Sequence, residues 1–163
     1  MWPIADGGRC RRTERYIGQQ QGDEHMLTAQ RVQQLLDLAK EAVARDCATW
    51  HEDRRQEELV VAVGDRNLEF LLSFKRNVHE ITAQLRTRER HVGLARIDNA
   101  AQHVNPDGTV LRGPHLHVFR EGQGLAWAEP IDWYDLNRPM DTLFRFLELI
   151  RTRFPAGITE ALL

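Results

Sequence analysis

The sequence predicts an α+β domain: an antiparallel sheet of about five to six strands flanked by an N-terminal and a C-terminal helix. Three observations lead there. Apolar residues recur at helical spacing near both ends, they alternate with polar residues at period two through the middle, and Asn105-Pro106-Asp107-Gly108 supplies a tight reversal before the last long strand. Strands in succession between two helices should bury one sheet face and leave the other partly open.

In chain order, residues 1–25, "MWPIADGGRCRRTERYIGQQQGDEH", read as an extension without the apolar core of a signal peptide. Residues 26–163 then form the expected single domain. Val32, Leu35, Leu36, Ala39, Ala42 and Val43 predict a helix from about Thr28, its cap, to about Asp46. The charged stretch "TWHEDRRQEE" is unpatterned. Leu59 to Val63 read as a buried strand closed by a turn at Gly64-Asp65. Leu68, Phe70, Leu72 and Phe74 then point one way, with Glu69, Leu71, Ser73 and Lys75 opposite.

Ile81, Ala83 and Leu85 repeat that alternation against Glu80, Thr82, Gln84 and Arg86, which fits a second strand with a short helix as the alternative, and "HVGLARID" adds a third alternating strand. "HLHVFRE" places Leu116 and Val118 on one face and His115, His117 and Phe119 on the other. "LAWAEPI" fits a short edge strand limited by Pro130. Pro139 opens a closing helix with Leu143, Phe144, Leu147, Ile150 and Phe154 as its stripe, ended by Pro155 and Gly157.

A chain of 163 residues suffices for one core. Its formal charge of −2 excludes a bulk field drawing it onto nucleic acid, so any polyanion site must be local. Cys10 and Cys47 give neither a disulfide framework nor zinc-thiolate spacing. With no signal-peptide core a cytoplasmic location is expected, and with no apolar run long enough for a membrane span no membrane partner is.

Polar chemistry concentrates between residues 91 and 121. His91, His103, His115 and His117 lie there with Arg96, Asp98, Asn99, Asn105 and Asp107, followed by Arg120 and Glu121. Alternate strand residues are about 6.5–7 Å apart at the backbone, so His115 and His117 can lean toward one point. Three functions compete. In metal-independent ribonuclease chemistry, His115 and His117 serve as acid and base, His103 substitutes for either, and Arg120 or Arg96 stabilises the phosphorane, with no cofactor. In a non-catalytic interaction module of immunity or antitoxin type, the same face binds a protein partner. In a metal protein, His115 and His117 bind a divalent ion with Glu121 as third ligand. A His-x-His on a surface strand also arises without any function. The sequence leaves the oligomeric state open, and does not say which imidazole is acid and which is base.

The run His115-x-His117-x-x-x-Glu121 resembles the first metal-binding motif of cupins, which implies a small β-barrel holding iron, manganese or zinc. Gly108 sits one residue off that spacing, and no second motif supplies the last histidine. A wider resemblance comes from "RIDN", "HVNPDG", "GPHLHVFREG", "AWAEPI" and "LFRFLELI" in that order. They resemble a small family of unknown function from bacteria, archaea and phages, carrying an Asn-Pro-Asp-Gly turn, Pro-His-x-His with Tyr-Arg-Glu-Gly, and Trp-Ala-x-Pro. The similarity spans Leu27 to Ile150, and Phe119 stands where the family has Tyr. More distantly, Arg-x-Asp-Asn followed by a histidine and a later histidine pair resembles the toxin of TumE-type toxin–antitoxin modules. That resemblance implies a mobile-element setting, a ribonucleolytic role on RNA, a cognate antitoxin as partner, and Asp98, His103, His115 and His117 at the matching positions.

Overall fold

A computed structural model of the chain describes residues 27–161; the expected extension over residues 1–25 lies outside them. The described residues run α1 (Ala29–Asp37), β1 (Lys40–Ala42), β2 (Ala48–Trp50), β3 (Gln56–Ala62), β4 (Asp65–Arg76), β5 (Ile81–Thr87) and β6 (Gly93–Asp98). There follow β7 (His103–Val104), β8 (Val110–Leu111), β9 (His115–Val118), β10 (Ala128–Pro130), α2 (Pro139–Leu149), β11 (Thr152–Arg153) and β12 (Ile158–Glu160). The α+β class holds. The main sheet is larger than expected, with eight strands in the order β10-β9-β6-β5-β4-β3-β1-β11, and two-stranded pairs β12-β2 and β7-β8 stand beside it. Neighbours in the main sheet are antiparallel except β1 and β11, which are parallel, so the sheet is mixed.

The two-faced strands form where alternation is cleanest. Phe70, Leu72 and Phe74 of β4 pair with Thr87, Leu85 and Ala83 of β5, and Ala83 and Leu85 pair in turn with Ile97 and Ala95 of β6. Directly paired residues share a face, so this apolar side is continuous. Val32, Leu35 and Leu36 of α1 and Leu143, Phe146 and Leu147 of α2 belong to the same buried cluster.

The ends depart from expectation for physical reasons. Thr28 caps α1 by accepting from the Arg31 amide at 3.1 Å, but the helix stops at Asp37 instead of about Asp46. Beyond it the backbone of Lys40–Ala42 pairs with β3 and β11, and strand pairing overrides helical periodicity. Part of the stretch read as unpatterned forms β2, which pairs with β12. In α2, Phe146 is fully buried and Phe144 is 45% exposed, so Phe146 replaces Phe144 in the stripe. The helix ends at Leu149, before Pro155, and two short strands follow it. No described helix is long and apolar enough to cross a membrane.

The opposite face is polar. Ser73, Gln84, Arg96 and His117 are paired in a row across β4, β5, β6 and β9, and Lys75–Thr82 and Asp98–His115 are further cross-strand pairs on that face. The β7–β8 hairpin, turned at Asn105 to Gly108 as predicted, docks at the β9–β10 end of this face. The side chain of buried Asn105 donates to Ala128 O at 3.0 Å and accepts from Ala128 N at 2.8 Å. Gly108 takes φ +87°, the left-handed region that favours glycine.

Candidate functional site

Strand pairing sets His117 opposite Arg96 and His115 opposite Asp98, and the hairpin carries His103 onto both rings. Ring centroids are 5.2 Å apart for His103–His115, 4.8 Å for His103–His117 and 4.9 Å for His115–His117, the first pair stacked. Asp98 lies beside them. Its Oδ1 is 2.8 Å from His115 Nε2, and its Oδ2 is 3.3 Å from His117 Nε2 and 3.0 Å from Arg96 Nε.

Proton placement follows from the partners. His115 donates from Nδ1 to Gly113 O at 2.7 Å, and its Nε2 lies 2.8 Å from Asp98 Oδ1, an ion pair when the ring is charged. His117 donates from Nδ1 to Leu125 O at 2.7 Å. Its Nε2 sits between a donor, Arg96 Nη2 at 3.0 Å, and the Asp98 acceptor, so a neutral ring accepts from the arginine and a charged one donates to the carboxylate. His103 donates from Nε2 toward Ala126 O at 3.0 Å and Asn105 Oδ1 at 3.1 Å, which leaves the lone pair on Nδ1. Arg96 Nε is buried and, despite its closeness to Asp98, makes no hydrogen bond, so that contact is an ion pair. Burial pushes the Asp98 carboxyl up. The His117 hydrogen bond, the Ala100 amide and the charges of His115 and Arg96 outweigh it and hold Asp98 well below the usual carboxylate range.

Access is uneven. The rings of His115 and His117 are 1% and 0% exposed. The polar face is therefore not open above them, because the hairpin and the Leu125–Ala126 loop cover it. Open surface begins at Arg96 and Asp98, which line a cleft of about 420 Å³ together with Arg55, Ser73, Lys75 and Gln84.

Asp98, His103, His115 and His117 are brought together; Arg120 and Glu121 are not. Arg120 lines a hollow with Leu116 and Val118, on the face opposite the histidines, where its guanidinium lies 3.8 Å from the Trp127 ring centroid and 3.2 Å from Glu129. Glu121 is exposed and accepts from the Ala29 amide at 3.2 Å, at the start of α1. Phe119 leaves the expected histidine face as well, since β9 ends at Val118 and the ring packs against the apolar cluster. Sequence reasoning passed over the cleft residues Arg55, Ser73, Lys75 and Gln84. The polar side of the alternation in β4 and β5 already held three of them.

A family model matches residues 27–152, from the residue before the α1 cap to the first residue of β11. The chain belongs to DUF6978, a family of unknown function. No curated protein and no solved structure matches it. The DUF6978 region contains every member of the histidine cluster and all the cleft residues, and leaves out β12.

Proposed function

We propose that this DUF6978 protein cleaves RNA on the polar face of its sheet, with the phosphodiester held in the cleft and the reaction beside Asp98. One observation carries the reading. Arg96 and Asp98 belong both to the cleft and to the histidine cluster, so an anion in the cleft lies against the reactive groups. The charge pattern supports it: Arg55 makes a hydrogen bond to Ser73 at 3.2 Å and no ion pair among the described residues. The cleft volume lies within the range of small-ligand sites, enough for a single nucleotide. The four positions matched in the resemblance to TumE-type toxins are also the four that meet.

Arg55 and Arg96 bind the phosphate, and Arg96 balances charge growing on the phosphorane. Direct proton exchange between RNA and the His115–His117 pair is disfavoured, because both rings are buried and both Nδ1 atoms are committed to backbone carbonyls. The pair works from beneath by orienting Asp98, whose carboxylate takes the 2′-hydroxyl proton as the 2′-oxygen bonds to phosphorus, while a solvent proton reaches the departing 5′-oxygen through the open cleft.

The test uses the full chain and single-stranded RNA. Binding should weaken as salt rises, and cleavage should fall at least about 100-fold in Arg96→Ala and Asp98→Asn, with folding of each variant checked by circular dichroism. Wild-type protein that neither binds nor cuts RNA would overturn the proposal. A non-catalytic interaction module would then be the better account.

A further inference from the structure

We infer that His103, His115 and His117 form a binding site for a divalent transition metal of the zinc class, with Asp98 as an oxygen donor. The inference stands on the donor geometry, whether or not the protein acts on RNA.

The three imidazoles each offer a nitrogen within 4.8 Å of the other two. A tetrahedral ion with metal–nitrogen bonds of about 2.0 Å holds its ligands about 3.3 Å apart, so the set must contract modestly. His103 sits on a two-residue strand of a hairpin and can supply that movement. The outer contacts fit the same role. Imidazoles that bind metal through one nitrogen commonly donate the other N–H to a backbone carbonyl, which fixes the tautomer and aims the lone pair. His115 and His117 do so from Nδ1, to Gly113 and Leu125, and His103 from Nε2, to Ala126. Three rings from two strands are thereby turned inward by three separate carbonyls.

Burial favours an ion over a larger ligand. Rings 0–1% exposed cannot touch a macromolecule, whereas a cation needs only a path, and half-buried Asp98 lines the open cleft beside them. Two groups must yield. A proton held on His115 Nε2 beside Asp98 exchanges for the metal, as ligand binding by imidazole requires. Arg96 Nη2 must leave His117 Nε2, and its side chain, 36% exposed, has the adjacent cleft to enter. Imidazole nitrogen with one carboxylate selects zinc, iron, nickel or copper over magnesium and calcium. A bound ion there supplies a Lewis acid at the edge of the cleft.

Untagged full-length protein, stripped by chelator and dialysed against micromolar Zn2+, should take up about one ion per chain and melt at a higher temperature. Cobalt substitution should give the visible absorption of a four-coordinate site. His103→Ala and His117→Ala should weaken zinc binding at least about tenfold. His103, half-buried on the hairpin, can be replaced with less risk to folding than the fully buried His117. Zinc uptake with no stabilisation, unchanged uptake in folded His103→Ala, or no uptake would each overturn the inference. The two proposals fail separately: a protein that binds zinc but leaves RNA intact keeps the metal site and loses the ribonuclease. One that cuts RNA after chelation and takes up no metal does the reverse.

Discussion

Two charged groups, one buried and one half-buried, lie toward opposite edges of the main sheet and are satisfied in different ways. Lys40 of β1 is 1% exposed, and its ammonium donates to three backbone carbonyls, Leu36 O at 3.0 Å, Leu38 O at 2.6 Å and Ile150 O at 2.8 Å. Asp98 of β6 is held mainly by side chains: His115, His117 and Arg96. Carbonyls at the ends of two helices cannot change partner unless the helices move. Arg96, 36% exposed at the cleft, can leave Asp98 at the cost of a rotamer. The first arrangement joins α1, β1 and α2 into a frame; the second can reorganise around a ligand.

The sharpest way to break this comparison is at the frame. Lys40→Met removes the ammonium from Leu36 O and Leu38 O, while Ile150 O keeps the Thr152 hydroxyl, and should destabilise the protein by about 3 kcal/mol in denaturant unfolding, while the affinity of the histidine cluster for Zn2+ stays unchanged. A loss near zero would show that the carbonyls find other partners and that the lysine is no strut. At the other end, Asn105→Ala removes both bonds to Ala128 and should cost about 1–2 kcal/mol. Its main signature should be local, with faster amide exchange confined to the hairpin around residues 103–111, and uniform exchange across the sheet would contradict the separation.

A finer probe is pH. Burial, then the nearby Arg151, push the Lys40 ammonium down from 10.5 to about 8, with Asp37 opposing. Between those values the unfolded chain holds more protons than the folded one, so stability should rise with pH from about 8 to 10.5 and fall again as pH returns. The slope should be no steeper than about 1.4 kcal/mol per pH unit, and Lys40→Met should flatten it. Equal slopes in the two proteins would count against a depressed lysine.

The two regions also differ in how far the sequence reveals them. The meander from β4 to β6 was legible because apolar and polar residues alternate along most of it, although in β6 Leu94 and Ala95 are both buried. The reversal at Asn105-Pro106-Asp107-Gly108 was legible, because turn chemistry is local, but the short strands β7 and β8 that it joins were not. β1, β2, β11 and β12 were not, because strands of two or three residues carry no period and exist only through partners far along the chain. Lys40 gave no sign of its burial for the same reason.

In the cluster, parity along β9 put His115 and His117 on one side. Continued to residue 120, that parity assigns Arg120 to the side of Leu116 and Val118, where it lies, so its expected catalytic place conflicted with information already present. Glu121 shares the histidines' parity, but β9 ends before it and parity no longer applies. The burial of the rings depended on where the hairpin docks, a contact between side chain and backbone that no spacing encodes.

The parallel pairing of β1 with β11 bears on how the molecule comes into being. During synthesis the meander can assemble as it emerges, since each of its strands pairs with the one just made. β1 finds β3 early, yet its other edge and one of the three Lys40 acceptors, Ile150, arrive only 110 residues later. Until residues 150–153 have been made, a nascent chain carries an open strand edge with a solvated ammonium beside it, and that side of the sheet cannot shut.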